Sequence, residues 1–320
     1  MKSIGLSVVL TGALATPALA CDLCAVYSAA QAHGEIGKGF FAGIAEQFTH
    51  FGTLQEDGRK VPNPVGQYEN SSISQLAAGY NFTERFGIQF NLPVIYRSFK
   101  RPDGFDIDRG HVFGLGDVAL LANVNAFSAE TKEATFRVNL HAGVKLPTGN
   151  SSRLQEEVDE LTEPPPPPGA PESGIHGHDL ALGTGSVDGI VGAGVFSRWK
   201  RFFLSGDAQY SIRTKGDFDY RYANDLTWSG GPGFFLALSE EFTLALQANI
   251  SGEYKARDTF RGMRAEDTAI TAVYLGPRVL LSWSDRLSAQ VGVDLPLSIK
   301  NSALQAVPDY RVTGGLTWHF

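Results

Sequence analysis

Between Phe136 and Leu146 the chain alternates without interruption. Val138, Leu140, Ala142 and Val144 fall on one face, and Arg137, Asn139, His141, Gly143 and Lys145 on the other. The same period of two runs through Ile88 to Tyr96, Phe242 to Ile250, Leu287 to Leu297 and Tyr310 to Phe320. It predicts strands with one apolar and one polar side, which a helical period does not produce. Twelve segments follow this rule. Six begin near Phe40, Gly87, Glu133, Phe202, Phe242 and Leu287, and six returning ones near Ser72, Phe113, Leu180, Asp225, Thr268 and Val307. Register is weakly specified in the glycine-rich stretches Leu180 to Phe196 and Asp225 to Leu238. Phe40 to Phe51 is ambiguous because Glu46 and Gln47 are adjacent.

The connections sort into two kinds that alternate along the chain. Short ones occupy 81–85, 129–132, 198–200, 239–241 and 284–286. Longer polar ones occupy 52–71, 100–111, 148–179, 214–224, 256–267 and 301–306. An even strand number with short turns at one end and long loops at the other is the pattern of outer-membrane barrels, whose short turns are periplasmic. The strands also reach the roughly 9–11 residues that a tilted membrane strand needs, longer than those of a soluble sandwich. The predicted fold is therefore all-β: a transmembrane antiparallel barrel of about 12 strands, of bacterial outer-membrane type, over residues 40–320. Its apolar side faces lipid and its polar side a lumen.

Composition fits this reading. The chain is 43% hydrophobic with 36 glycines, yet mean hydropathy is near zero, because barrel strands keep half their residues away from lipid. The net charge of −7 opposes nucleic-acid binding, which needs clustered Lys and Arg. Residues 1–20 read as a secretory signal peptide: Lys2, an apolar run from Ile4 to Leu14, and Ala18-Leu19-Ala20 before Cys21. Residues 21–39 form a short periplasmic segment carrying Cys21-Asp22-Leu23-Cys24. The region of about 150–179 contains Glu156, Glu157, Asp159, Glu160 and Glu163, then Pro164 to Pro168. That acidic, proline-rich composition predicts a mobile extracellular loop.

The lumen-facing charges are Arg97, Asp117, Arg137, His141, Lys145, Asp207, Arg213, Glu253, Asp294 and Arg311, interleaved with amides such as Gln89, Asn91, Asn139, Gln209, Gln247 and Gln290. Such a wall is either a wet path for solutes or a set of ion pairs closing a narrow barrel. Eight strands are filled by side chains and sixteen leave an aqueous channel, so twelve predicts a narrow or plugged pore. No G-x-S-x-G element occurs, and His141 faces the lumen, so an enzyme is not expected. The leading function is passage of small solutes through a narrow polar lumen. The alternative is metal binding or docking of a periplasmic partner at the amino terminus. Cys21 and Cys24 suit a local disulfide, two soft metal ligands with His33 nearby, or lipid attachment at Cys21. His176 and His178 form a second metal candidate. No other cofactor is implied.

Two resemblances add to this. The final strand, ending in Trp318-His319-Phe320, resembles the assembly signal of outer-membrane barrels and implies the barrel assembly machinery as a partner through Phe320. Gly114-Leu115-Gly116-Asp117-Val118, Lys145-Leu146-Pro147-Thr148-Gly149 and Gly183-Thr184-Gly185-Ser186-Val187-Asp188 together resemble the outer-membrane family named after the phenol meta-cleavage degradation pathway. That resemblance, over roughly Gly87 to Phe320, implies a barrel admitting aromatic or other small hydrophobic compounds.

Overall fold

The computed structural model of the chain describes residues 38–160, 167–239, 241–284 and 286–320. Twelve antiparallel strands close into a barrel. They are β1 (Gly39–Glu56), β2 (Tyr68–Asn81), β3 (Phe86–Asp103), β4 in two segments (Asp106–Leu115 and Ala119–Glu130), β5 (Ala134–Lys145) and β6 (Asp188–Trp199). The second half comprises β7 (Phe202–Ile212), β8 (Asp225–Leu238), β9 (Phe242–Lys255), β10 (Ile270–Trp283), β11 (Leu287–Asn301) and β12 (Leu304–His319). Each strand pairs with its sequence neighbours, and β12 closes on β1 from Phe41 opposite His319 to Glu56 opposite Leu304. The β12–β1 pairing removes the edge that an open sheet would expose, where an unpaired amide would be costly.

The alternation read from sequence sorts the two faces. Phe90, Leu140, Val191, Leu204, Leu246 and Leu295 stand exposed on the outside, while Gln47, Gln75, Asn91, Gln209 and Asn249 are buried inside. At the short-turn end the outward rings touch one another, as in Phe40 with Tyr80, Phe82 with Phe86, Phe127 with Phe136, and Phe202 with Phe234. This is the aromatic girdle of a membrane–water interface. The adjacent Glu46 and Gln47 resolve into opposite faces. Gln47 is buried inside beside Ala45, and Glu46 bonds outward-facing Ser72 and Ser74 of β2.

Two expectations are corrected. The sixth strand begins at Asp188, not near Leu180, which ends a one-turn helix, α2 (Gly177–Leu180), and is fully buried. The acidic region also does not stand out in solvent as a mobile loop. Its described parts fold back into the barrel mouth, with a 3-10 turn at Ser152–Leu154, a short helix α1 (Gln155–Glu160) and then α2. Composition misled because a few apolar residues suffice here. Leu154 and Ala181 pack on Tyr220, Tyr222 and Phe260, Ile175 and Leu180 on Phe99, and Leu182 on Ile73 and Ile95. Residues 161–166, including Glu163 and Pro164 to Pro166, lie outside the described residues.

Candidate functional site

The interior is built in tiers, one of which is a clasp made by all three quoted motifs. β4 breaks between Leu115 and Ala119, where Pro93 on the neighbouring strand offers no N–H and its carbonyl instead accepts from Gly116 N at 2.8 Å. The break turns Asp117 inward. Its Oδ2 accepts from Lys145 Nζ at 2.5 Å and from both the backbone N and Oγ1 of Thr184 at 2.9 Å, and its Oδ1 from Gly149 N at 2.9 Å. Lys145 also lies 3.1 Å from Asp188, which accepts from Arg213 Nη1 at 3.0 Å, and Arg213 Nε donates to Asp225 at 2.6 Å. Gly149 and Gly183 abut so closely that a Cβ on Gly183 would stand 2.5 Å from the Gly149 carbonyl carbon. These short motifs are thus where a long excursion leaves and re-enters the wall. Asp117→Ala should cost about 2–4 kcal/mol, because Lys145 keeps Asp188 but the backbone N–H groups of Gly149 and Thr184 lose their acceptor. Urea titration of the refolded barrel in lipid checks this; a loss below about 1 kcal/mol would remove the clasp from the stability argument.

The excursion itself plugs the outer half of the lumen. Arg97 of β3 donates to the carbonyls of Asp179 and Ala181, the latter at 2.9 Å, while lying 3.4 Å from Glu69. Tyr222 Oη donates to His178 O at 3.0 Å, and Gly174 joins the wall through Ala306 N at 2.7 Å. Arg101 donates to Glu156 at 2.9 Å. At the centre stand two stacked imidazoles, 5.8 Å between centroids. His178 Nδ1 lies 2.9 Å from Glu157 and its Nε2 3.3 Å from Asp179; His176 Nδ1 lies 3.3 Å from Glu160 and its Nε2 3.2 Å from Asp267. Burial alone would lower both histidines. The carboxylates outweigh it, raising His176 to about 9 and His178 well above the ordinary imidazole range.

Beneath the plug, a cavity of about 80 Å3 is lined by Arg97, Glu69, His178, Lys255, Glu253 and Arg311, among others. Arg311 Nη2 donates to both oxygens of Glu253 at 2.6 and 2.8 Å, and its guanidinium lies 4.3 Å from the Tyr274 ring centroid. Asp294 accepts from Asn249 and Ser251, each at 3.1 Å, across β10 where Gly276 has no side chain in the way. Nearer the short-turn end the wall becomes a belt of amides. Among the described residues, Gln75 has a bonding partner for neither amide atom, and the same holds for Gln47 Nε2, Asn91 Nδ2, Asn139 Oδ1, Gln209 Nε2 and Asn249 Oδ1. Buried polar atoms require partners, so this belt demands water or a polar solute.

The architecture is that of a bacterial outer-membrane barrel. By structure, the chain is similar to the COG4313 outer membrane channel from Pseudomonas putida F1, with a TM-score of 0.62 and 15% identity over 89% of this chain and 96% of that one. More distant are the translocator domain of the autotransporter NalP from Neisseria meningitidis (TM-score 0.40, 11% identity, 93% and 100% covered) and the CymD monoaromatic hydrocarbon channel (0.37, 6%, 90% and 90%). No family model and no curated protein matches the sequence.

The structure brings most of the sequence-selected residues inside the barrel, but not to one point. Asp117, Lys145 and Arg213 make the clasp, Arg97 holds the plug, and Glu253, Asp294 and Arg311 line the tier below. His141 is buried over Gly192 and Asp207 is buried on β7. Arg137 pairs with Glu130 at 3.3 Å near the short-turn end. His176 and His178 are bracketed by carboxylates, and among the described residues no group of three His, Cys, Asp or Glu side chains is arranged to hold a metal ion. Cys21, Cys24 and His33 lie outside the described residues. Sequence reading missed Glu69, Lys255 and Asp258, of which Lys255 and Asp258 pair at 2.6 Å, and it overlooked His50. That imidazole faces outward from β1, with Nδ1 2.7 Å from Asn70 Oδ1. The nearby hydroxyl of Ser98 bonds Asn70 instead of the ring, so the trio lacks the nucleophile–base contact of a hydrolase.

Proposed function

We propose that the protein is an outer-membrane channel for small solutes, performing no chemistry, with a polar path that runs beside an inward-folded plug. The belt of buried amides without partners among the described residues carries this reading, since a sealed structural barrel would pair them. Its amide and ion-pair chemistry suits solutes that bring hydrogen-bonding groups. The phenol-pathway resemblance supports small aromatic compounds bearing hydroxyl or carboxylate groups as the cargo class. In planar bilayers the purified barrel should show small, discrete conductance steps. Loaded liposomes should admit an aromatic acid faster than protein-free vesicles, with a sugar and a metal ion as comparison solutes. A folded barrel that is silent in both assays would refute the channel reading.

A further inference from the structure

The outer face of the closing seam carries a polar stripe between exposed apolar residues such as Ile44, Leu76, Val312 and Leu316. On β1, β2 and β12 the outward positions include Glu46, His50, Asn70, Ser72, Ser74 and Asp309. Glu46 accepts from Ser72 Oγ at 2.5 Å and also from Ser74. His50 lies 2.7 Å from Asn70 and 3.8 Å from Asp309, which accepts from Thr53 at 2.6 Å. These bonds fix the side chains without covering them: the His50 and Asp309 side chains remain 31% and 33% exposed. Depth makes the face unusual. A strand tilted by about 40° climbs roughly 2.6 Å per residue, which puts Glu46 about 16 Å and His50 about 26 Å above Phe40 in the short-turn girdle. An apolar band is about 25 Å tall, so Glu46 sits within the hydrocarbon and His50 at its outer edge. A carboxylate at that depth is expensive and marks a function.

We infer that this seam is the surface through which two copies of the chain associate in the membrane. Opposite Glu46, β12 presents Gly314, and Ser72 and Ser74 flank it on β2, so the wall is low enough for a second barrel to approach closely. Small and polar residues are what drive association where lipid removes the hydrophobic force. The chemistry is also self-complementary. A two-fold axis along the membrane normal brings equal heights together, and a two-fold contact is the same patch on both partners. His50 stands opposite Tyr310 in register, one residue from Asp309, so acid and base share one level. The axis therefore sets each His50 against Asp309 of the second copy. Lower down, each Glu46 meets hydroxyl donors at its own level.

Disulfide trapping in isolated outer membranes tests this, in a background where Cys21 and Cys24 are replaced by serine. Ile44→Cys places a thiol beside Glu46 on the outward face, and Leu204→Cys places one on β7, away from the seam; both parent residues are exposed. Oxidation should give a covalent dimer with Ile44→Cys and not with Leu204→Cys. Glu46→Leu, checked for folding by its heat-shifted gel mobility, should weaken dimerisation about tenfold in nanodisc sedimentation. If that variant does not fold, the trapping comparison decides. Equal trapping at both positions, or a monomer in nanodiscs, overturns the inference. A monomer that retains a lipid on this face also overturns it, and assigns the seam to lipid instead.

Discussion

Excising residues 150–182 and joining Gly149 to Gly183 through two glycines should leave a folded barrel whose single-channel conductance is raised about tenfold. The barrel does not need the excursion for its hydrogen bonding. Lys145 pairs directly with Asp188, so β5 and β6 are already neighbours at the outer rim, and the two cut ends already touch. The clasp of Asp117, Lys145, Thr184 and Asp188 survives the cut. What is lost is the packing of Leu154, Ile175, Leu180 and Leu182 on the inner wall, together with the carbonyls held by Arg97. Arg97 keeps Glu69 as its partner, so no bare charge is left behind. Twelve strands enclose more space than eight, and the plug fills the outer half of it. An excised barrel that folds but conducts like the parent would show that the plug is not the constriction.

How far the sequence could have foretold this differs from tier to tier. The strands were legible because each has a lipid face and a wet face, and a period of two cannot hide in a segment such as Phe136 to Leu146. Closure was legible from the even strand number and the alternation of short and long connections. The plug was not. Glu156, Glu157 and five prolines argue for solvent, and nothing local reveals that Arg97, 59 residues earlier than Glu156, is waiting for the carbonyls of Asp179 and Ala181. Asp117 and Lys145 were chosen as lumen residues, but their meeting depends on the break in β4, a feature of pairing and not of pattern. His50 was missed because Glu46 and Gln47 blur the alternation of β1. The bulge opposite Pro308 adds to this by shifting register between His50 and Thr53.

Raising the pH through about 9 should open the parent channel, because the plug is fastened by two histidines held in their charged form. His176 faces Glu160 of α1, Asp267 of the β9–β10 connection and His178; His178 faces Glu157 of α1, Asp179 and the ring of Tyr220. Arg97, Lys255, Glu253 and Arg311 line the cavity on the far side. The His176 pKa rises from 6.5 to about 9. A group whose folded value is raised contributes its full stabilisation below the unfolded value and loses it as pH climbs through the folded one. The window therefore runs from about 6.5 to about 9, and the His176 share is on the order of 3 kcal/mol; His178 adds in the same direction. Glu157 and Asp179 are both lowered because His178 outweighs the effect of burial. Their contribution is present above the ordinary carboxylate range and fades on acidification. The plug is thus most firmly seated between about pH 5 and 6.5. Conductance recorded from pH 5 to 10 should stay low to about 7 and then rise as the imidazoles discharge. His176→Gln should flatten the alkaline rise, and the barrel lacking residues 150–182 should show none. A rise that persists unchanged in the excised barrel would place the titrating group in the wall.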